Sequence, residues 1–415
     1  MRRYPRPLLV LALVLAIMLA SLAVPAARPA LAEPVTPAQV QTPDATAPGP
    51  FPITTAEYRF PATVDPDILA DRFTEIWARV WRPQPLPAGP SPLIVMLHGN
   101  SLTCTTPGTM SVENARAYSL TGQCPPGFTV VLSHEGYGYL AERLASWGYI
   151  IVSINANRGI NMGPRNSVDF SLIFARGRLV LKHLQLWSQW SRVGGAPDSL
   201  GLGSNGFVGK VDVGNVGLLG HSRGGEGVRA AYNLYRDAGS PWPARIPGLQ
   251  VKAIFEIAPT DGYARFRGND GNVYPRFFNA EDTAWTALLP MCDGDILGLD
   301  GLKPFDRMLL LNQERQPAQK ATYLVWGANH NFYNTVWQER NDSAGCLNHT
   351  PLTPEVQRST ALESVLALFR GNVGVNAPQV FNRTFNPLAP LPPPPPPFAT
   401  RPARVERGFA IATSD

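Results

Sequence analysis

Ser222 stands in the run VGLLGHSRGGEG at 216–227, with Gly220 two positions before it and Gly224 two after. The spacing is G-x-S-x-G, in which a strand turns sharply into a helix and lifts a serine hydroxyl clear of the backbone. Glycine is needed because main-chain atoms come too close there for a Cβ. A hydroxyl presented this way attacks a carbonyl once a neighbouring base takes its proton. The motif alone recurs by chance in a chain with 37 glycines, so its flanks decide the matter. Val216, Leu218 and Leu219 form an apolar strand ahead of it, and 223–237 reads as a helix behind it. The chemistry predicted is acyl transfer to water through a serine.

Such a serine requires a base, and the base requires an acid to orient it. Histidine occurs at 98, 134, 183, 221, 330 and 349. His183 falls inside a helical pattern, and His134 and His349 fall in loops without further signals. His98 belongs to a His-Gly turn after a strand and is read as bracing a loop; His221 adjoins the serine, where the turn points it elsewhere. His330, in GANHNFYN at 327–334, follows the last strand before the closing helix and is the predicted base. Chain order serine, acid, histidine puts the acid between the two. Asp293 in CDGDI at 292–296 is the first choice, with Asp295 and Asp261 as alternatives. Asp293, Asp295 and Asp300 also suggest a calcium loop, but their spacing departs from the standard one. No metal and no cofactor is expected. Two backbone N–H groups must receive the developing negative charge, and those of Arg223 and Asn100 are the candidates. Phe332, Tyr333 and Trp337 are candidates for lining an acyl or alcohol pocket. Glu226 is read as pairing with Arg229 at i+3, and Glu256, in an apolar strand, requires a partner that the sequence does not name.

These residues need a frame. FTEIWARVWRP at 73–83 partly alternates and reads as an early antiparallel strand. PLIVMLHGN at 92–100 is continuously apolar, as in a strand buried on both faces. Further strands are read at 149–157, 251–259, 285–292 and 321–327. Leu140, Leu144 and Trp147 mark one helix, and Val180, Leu184 and Trp187 another. The segment 353–370 is a closing helix with Thr353 as its N-cap. Alternating strands and helices predict an α/β fold with a mostly parallel central sheet and helices on both faces. In such sheets chemistry gathers beyond the carboxyl ends of the strands, where all the candidates fall.

The ends carry other signals. Residues 1–32 have a basic start, an apolar run at 8–24 and Ala30-Leu31-Ala32, and read as a secretory signal peptide. They hold four arginines and no acid; without them 32 basic residues face 31 acidic ones, which argues against a nucleic-acid partner. No membrane span is expected after its removal, and the product is read as a secreted or cell-surface monomer. Residues 33–52 read as a Pro/Ala-rich linker, 53–380 as the catalytic domain and 381–415 as a Pro-rich C-terminal tail, solvated or leading to a further domain. Four cysteines in an exported chain predict two disulfides, paired by proximity as Cys104–Cys124 and Cys292–Cys346.

Through LHGN at 97–100, GHSRGGEG at 220–227, CDGD at 292–295 and GANHNFYN at 327–334, the chain resembles the secreted bacterial α/β-hydrolases over 92–370. The chlorophyllase-like, cutinase-like and polyester-hydrolase-like serine esterases are the relatives suggested. Polyester hydrolases usually carry an aromatic residue after the glycine of the oxyanion loop; this chain has Asn100. The resemblance implies an α/β-hydrolase fold, a Ser222–His330–Asp293 triad, no cofactor, and a small-molecule or polymeric ester as substrate. The alternatives are a peptidase or acyltransferase on the same triad, and a non-catalytic surface-binding module with a vestigial one.

Overall fold

The computed structural model describes residues 44–106, 116–161, 168–310, 319–337, 346, 350–374, 384–388 and 403–411. The predicted signal peptide and His349 lie outside them. All the described residues belong to one compact unit. Its frame is a nine-stranded sheet of β1 (Ile53–Arg59), β2 (Trp77–Pro83), β3 (Ser91–Leu97), β4 (Ile150–Ile154), β5 (Val211–His221), β6 (Val251–Ile257), β7 (Ala284–Pro290), β8 (Gln319–Val325) and β9 (Val405–Ile411). The spatial order is β1-β2-β4-β3-β5-β6-β7-β8-β9. β1 and β2 run antiparallel at one edge and β9 at the other; the six strands between are parallel.

Side chains along the central strands alternate between two cores, as the pleat requires. Leu93, Val95 and Leu97 of β3 pack with α2 (Ile173–Val193) and α3 (Arg223–Arg236), through Val180, Leu184, Trp187, Val228 and Ala231. Ile94 and Met96 point the other way, to α1 (Gly138–Ala145) and α5 (Pro354–Asn372), through Leu140, Leu144, Leu366 and Phe369, while α4 (Leu302–Leu310) falls between β7 and β8 in the chain. Coverage of both faces explains the unbroken apolar run in β3. Thr353 caps α5 by accepting the Val356 N–H, as its sequence predicts. No helix among the described residues is long and apolar enough to cross a membrane.

The chain passes from β3 outward to β4 and then back across to β5, so the winding reverses at β3. The crevice at such a reversal lies beyond the carboxyl ends of the strands. The segments that leave β3 and β5 there are 98–101 and Ser222.

Two terminal expectations are corrected. The stretch 44–52 is not a free linker. Ala47 accepts the Trp147 indole N–H at 2.8 Å, the Gly49 amide donates to Ser146 Oγ at 2.8 Å, and Arg370 donates to Ala45 O at 2.6 Å. Nor is all of the C-terminal tail solvated: 405–411 forms β9 along β8. The pairing supplies ladder partners that composition alone does not reveal.

Candidate active site

β5 ends at His221, and Ser222 caps the N-terminus of α3 with φ 58° and ψ −129°. A serine held at positive φ is strained by about 1–3 kcal/mol, so its surroundings must impose the conformation. They do so main chain to main chain. The Ser222 amide donates to Ile257 O at 2.8 Å, and the Ser222 carbonyl accepts from the Gly225 amide at 2.9 Å. A Cβ at Gly220 would fall 2.1 Å from Gly224 O, and one at Gly224 would fall 2.3 Å from Leu97 O. Both motif glycines are therefore required by backbone contact. Gly99 is a third, since its Cβ would fall 2.5 Å from Ser222 Cβ.

His330 lies beyond β8 and Asp293 beyond β7. Nδ1 of His330 and Oδ2 of Asp293 are 2.8 Å apart, and both side chains are buried. The other oxygen of Asp293 accepts the amides of Asp295 and Ile296 at 2.8 and 2.7 Å, which fixes the carboxylate's direction. The two loops are also tied together. Cys292 N–H donates to Ala328 O at 2.8 Å, and Cys292 is joined to Cys346. Gln357 of α5 anchors the histidine loop from below, accepting the Asn329 amide and donating to its carbonyl. The His330 ring lies 5.0 Å from that of His221, the residue preceding Ser222. Asp295 is 57 % exposed, and its Oδ2 stands 3.5 Å from His330 Nε2, near enough for charge but long for a hydrogen bond.

The segment 98–101 is held on both sides of Asn100, through His98 and Ser101. The Ala156 amide donates to His98 Nε2 at 2.8 Å, so Nδ1 carries the proton and donates to Gly99 O at 2.8 Å. Burial, with the Arg176 charge beside it, holds His98 neutral, down to about 3. Arg176 Nη1 donates to His98 O at 3.1 Å, and Asn161 accepts the Ser101 amide. The Asn100 and Arg223 amides have no partner among the described residues. Arg223 opens α3, where amides point outward and the helix end is positive.

Compared with family models and with curated proteins, the chain matches none.

Both sequence-predicted disulfides are formed, and they use all four cysteines. Other expectations shift. Asp261 does not meet His330; it pairs with Arg229 and Arg307. Glu226 does not bond Arg229 either. It accepts Thr260 Oγ1 and the amides of Tyr263 and Ala264, and burial raises it to about 7. The partner Glu256 requires is Arg229, with both oxygens engaged. Tyr333 is fully buried in the core with its hydroxyl on Thr360, a packing position and not a lining one. Trp337 packs behind the site against His221, its indole N–H on Ser133 Oγ. Phe332 is largely buried, its amide on Asn329 Oδ1. Asp293 and Asp300 do not form a calcium loop, since Asp293 faces His330 and Asp300 pairs with Lys303.

Among the described residues, Glu57, His134 and Glu135 form one cluster of metal-ligand type. Asn155 Oδ1 accepts the Asn157 amide, so its Nδ2 is the group that donates to His134 Nδ1 at 3.0 Å. The proton of the neutral ring then sits on Nε2, and neither nitrogen offers a lone pair to a cation.

Sequence reasoning missed Arg176. It lies on α2, four residues before Val180, on the same inward stripe as Leu184 and Trp187. A charge on an apolar stripe is the signal that could have found it. Burial first, and then Arg223, lower its pKa to about 9, so it is cationic at neutral pH.

Proposed function

We propose that this chain is an exported serine esterase of the α/β-hydrolase fold. The observation carrying the reading is the Asp293–His330 hydrogen bond of 2.8 Å, on an imidazole packed beside the strained turn of Ser222. The reversal of strand order at β3 and the parallel centre of the sheet support the fold assignment. Two disulfides support export, because such bonds persist in oxidising compartments.

The chemistry follows from the groups. Asp293 accepts a hydrogen bond from the Nδ1–H of His330, which keeps its proton on Nδ1 and leaves Nε2 as the base. Nε2 takes the Ser222 proton as Oγ attacks the ester carbonyl carbon. The amides of Asn100 and Arg223 donate to the resulting oxyanion. His330 then protonates the leaving alkoxide, and water, activated by the same imidazole, releases the acid. Removing Asp293 in this scheme costs on the order of 10⁴ in kcat, because the imidazole loses its tautomer.

A fluorophosphonate probe should label wild-type protein at Ser222, and nitrophenyl acetate and butyrate should be hydrolysed. Ser222→Ala should do neither. A folded, oxidised wild-type sample that resists the probe and spares both esters overturns the reading.

A further inference from the structure

Arg176 is fully buried, and among the described residues only its Nη1 is bonded, to His98 O. Nε and Nη2 have no partner among the described residues. Those two nitrogens form the side edge of the guanidinium, which engages a carboxylate in two parallel bonds. This protein shows that use elsewhere. The same edge of Arg229 holds Glu256, Nε to Oε1 at 2.8 Å and Nη2 to Oε2 at 3.3 Å.

Arg223 adds a second cation. It follows Ser222 directly, its charge helps to lower the pKa of Arg176, and its Nη1 is buried without a partner among the described residues. A positive side chain in the first turn of a helix opposes the helix dipole, so helix stability does not account for it. The nearby acids Asp295 and Glu226 favour the Arg223 charge, and Asp169 that of Arg176, but none of them is hydrogen-bonded to either guanidinium, and burial outweighs them. Asp169 accepts the amides of Ile173 and Phe174, Glu226 accepts those of Tyr263 and Ala264, and Asp295 stands beside His330. A buried guanidinium edge with no hydrogen-bonded counter-charge is costly, and proteins keep one where a ligand supplies the charge. The His98 carbonyl that Arg176 holds is one residue from Gly99, which packs on Ser222.

We propose that Arg176 and Arg223 form an anion subsite of the candidate active site, and that the ester taken there carries a carboxylate near its scissile bond. The proposal rests on the esterase reading for the bond that is cut, but not for the anion that is bound.

The test has two arms. In the first, nitrophenyl hydrogen glutarate and carboxyphenyl acetate place a carboxylate on the acyl and the alcohol side, each measured against its neutral methyl ester. Wild-type protein should show at least tenfold higher kcat/KM for the anion in one of the pairs. That ratio should fall at least tenfold in Arg176→Met and in Arg223→Gln. No preference in either pair, or a preference that survives both variants, overturns the proposal. In the second arm, glutarate is titrated by calorimetry into Ser222→Ala, with Ser222→Ala/Arg176→Met and Ser222→Ala/Arg223→Gln as controls. Binding that either second substitution weakens at least tenfold supports the subsite even if no ester is cleaved, in which case the esterase reading alone fails. Hydrolysis of neutral esters with no glutarate binding overturns the subsite and leaves the esterase. Arg223→Gln keeps the test open if Arg176→Met does not fold, since Arg223 is only partly buried.

Discussion

Arg176 and Arg229 sit on adjacent helices over the same face of the sheet, and neither is exposed. Arg229 is saturated. Its five N–H groups go to both oxygens of Glu256, to Asp261, and to the carbonyls of Phe278 and Thr260. Arg307 reinforces the same group by gripping Asp261 and Phe278 O. Burial opposes the Arg229 charge, but Glu256 and Asp261 overcome it and hold the group firmly cationic. For Arg176 burial prevails, and the one nitrogen bonded among the described residues meets a neutral carbonyl. A saturated buried charge is scaffold: it pins the loops after β6 and before β7. An unsaturated one, beside a strained serine, is poised for something that arrives from outside.

The contrast can be broken most directly at Arg229. Arg229→Met leaves Glu256 buried without its cation and Asp261 with Arg307 alone, and should destabilise the fold by about 3–5 kcal/mol, read from the urea midpoint. A loss under about 1 kcal/mol would remove the saturated network from the scaffold.

Glu226 sharpens the same contrast through pH, because it lies one turn from Arg229 yet is satisfied by neutral donors. Burial raises its pKa from 4.5 to about 7. Its contribution to stability is complete below pH 4.5, where both folded and unfolded states are protonated. As pH rises to 7 the unfolded chain ionises first, and stability falls by on the order of 3 kcal/mol, then levels. Glu226→Gln stays neutral, still accepts the two amides, and can donate to Thr260. Its urea midpoint should change less than the wild type's between pH 4.5 and 7.5; equal changes would show that Glu226 is not the group titrating.

The smallest stability effect belongs to Arg176. Replacing an unpaired buried cation with an apolar side chain of similar length removes a desolvation cost, so Arg176→Met should alter stability by less than about 1 kcal/mol or raise it. A loss comparable with that of Arg229→Met would mean that Arg176 is scaffold too.

The parts of this arrangement legible in the sequence are those with local causes. The elbow is legible because Gly220 and Gly224 are dictated by contacts a few residues away. β3 and β5 are legible because a strand covered on both faces has little room for polar side chains. Asp293 could be ranked first of three but not separated from Asp295 and Asp261 by sequence, since the choice depends on which carboxylate meets His330 across two loops. The Arg229 network was invisible because its partners lie 27 and 32 positions away, with no periodicity to mark them. The strap at 44–52 escaped notice because its composition reads as extended chain, while its anchors are scattered bonds to Arg143, Ser146, Trp147 and Arg370. Tyr333 sits beside the histidine segment in sequence, yet the loop turns it into the core.

β9 has a consequence for handling the molecule. It covers the outer edge of β8, the strand that delivers His330. A chain cut ahead of residue 403 would leave the free amides and carbonyls of β8 as a template for another molecule's strand. Such a truncated protein would become self-associating, and His330 would then follow a strand shared between neighbours.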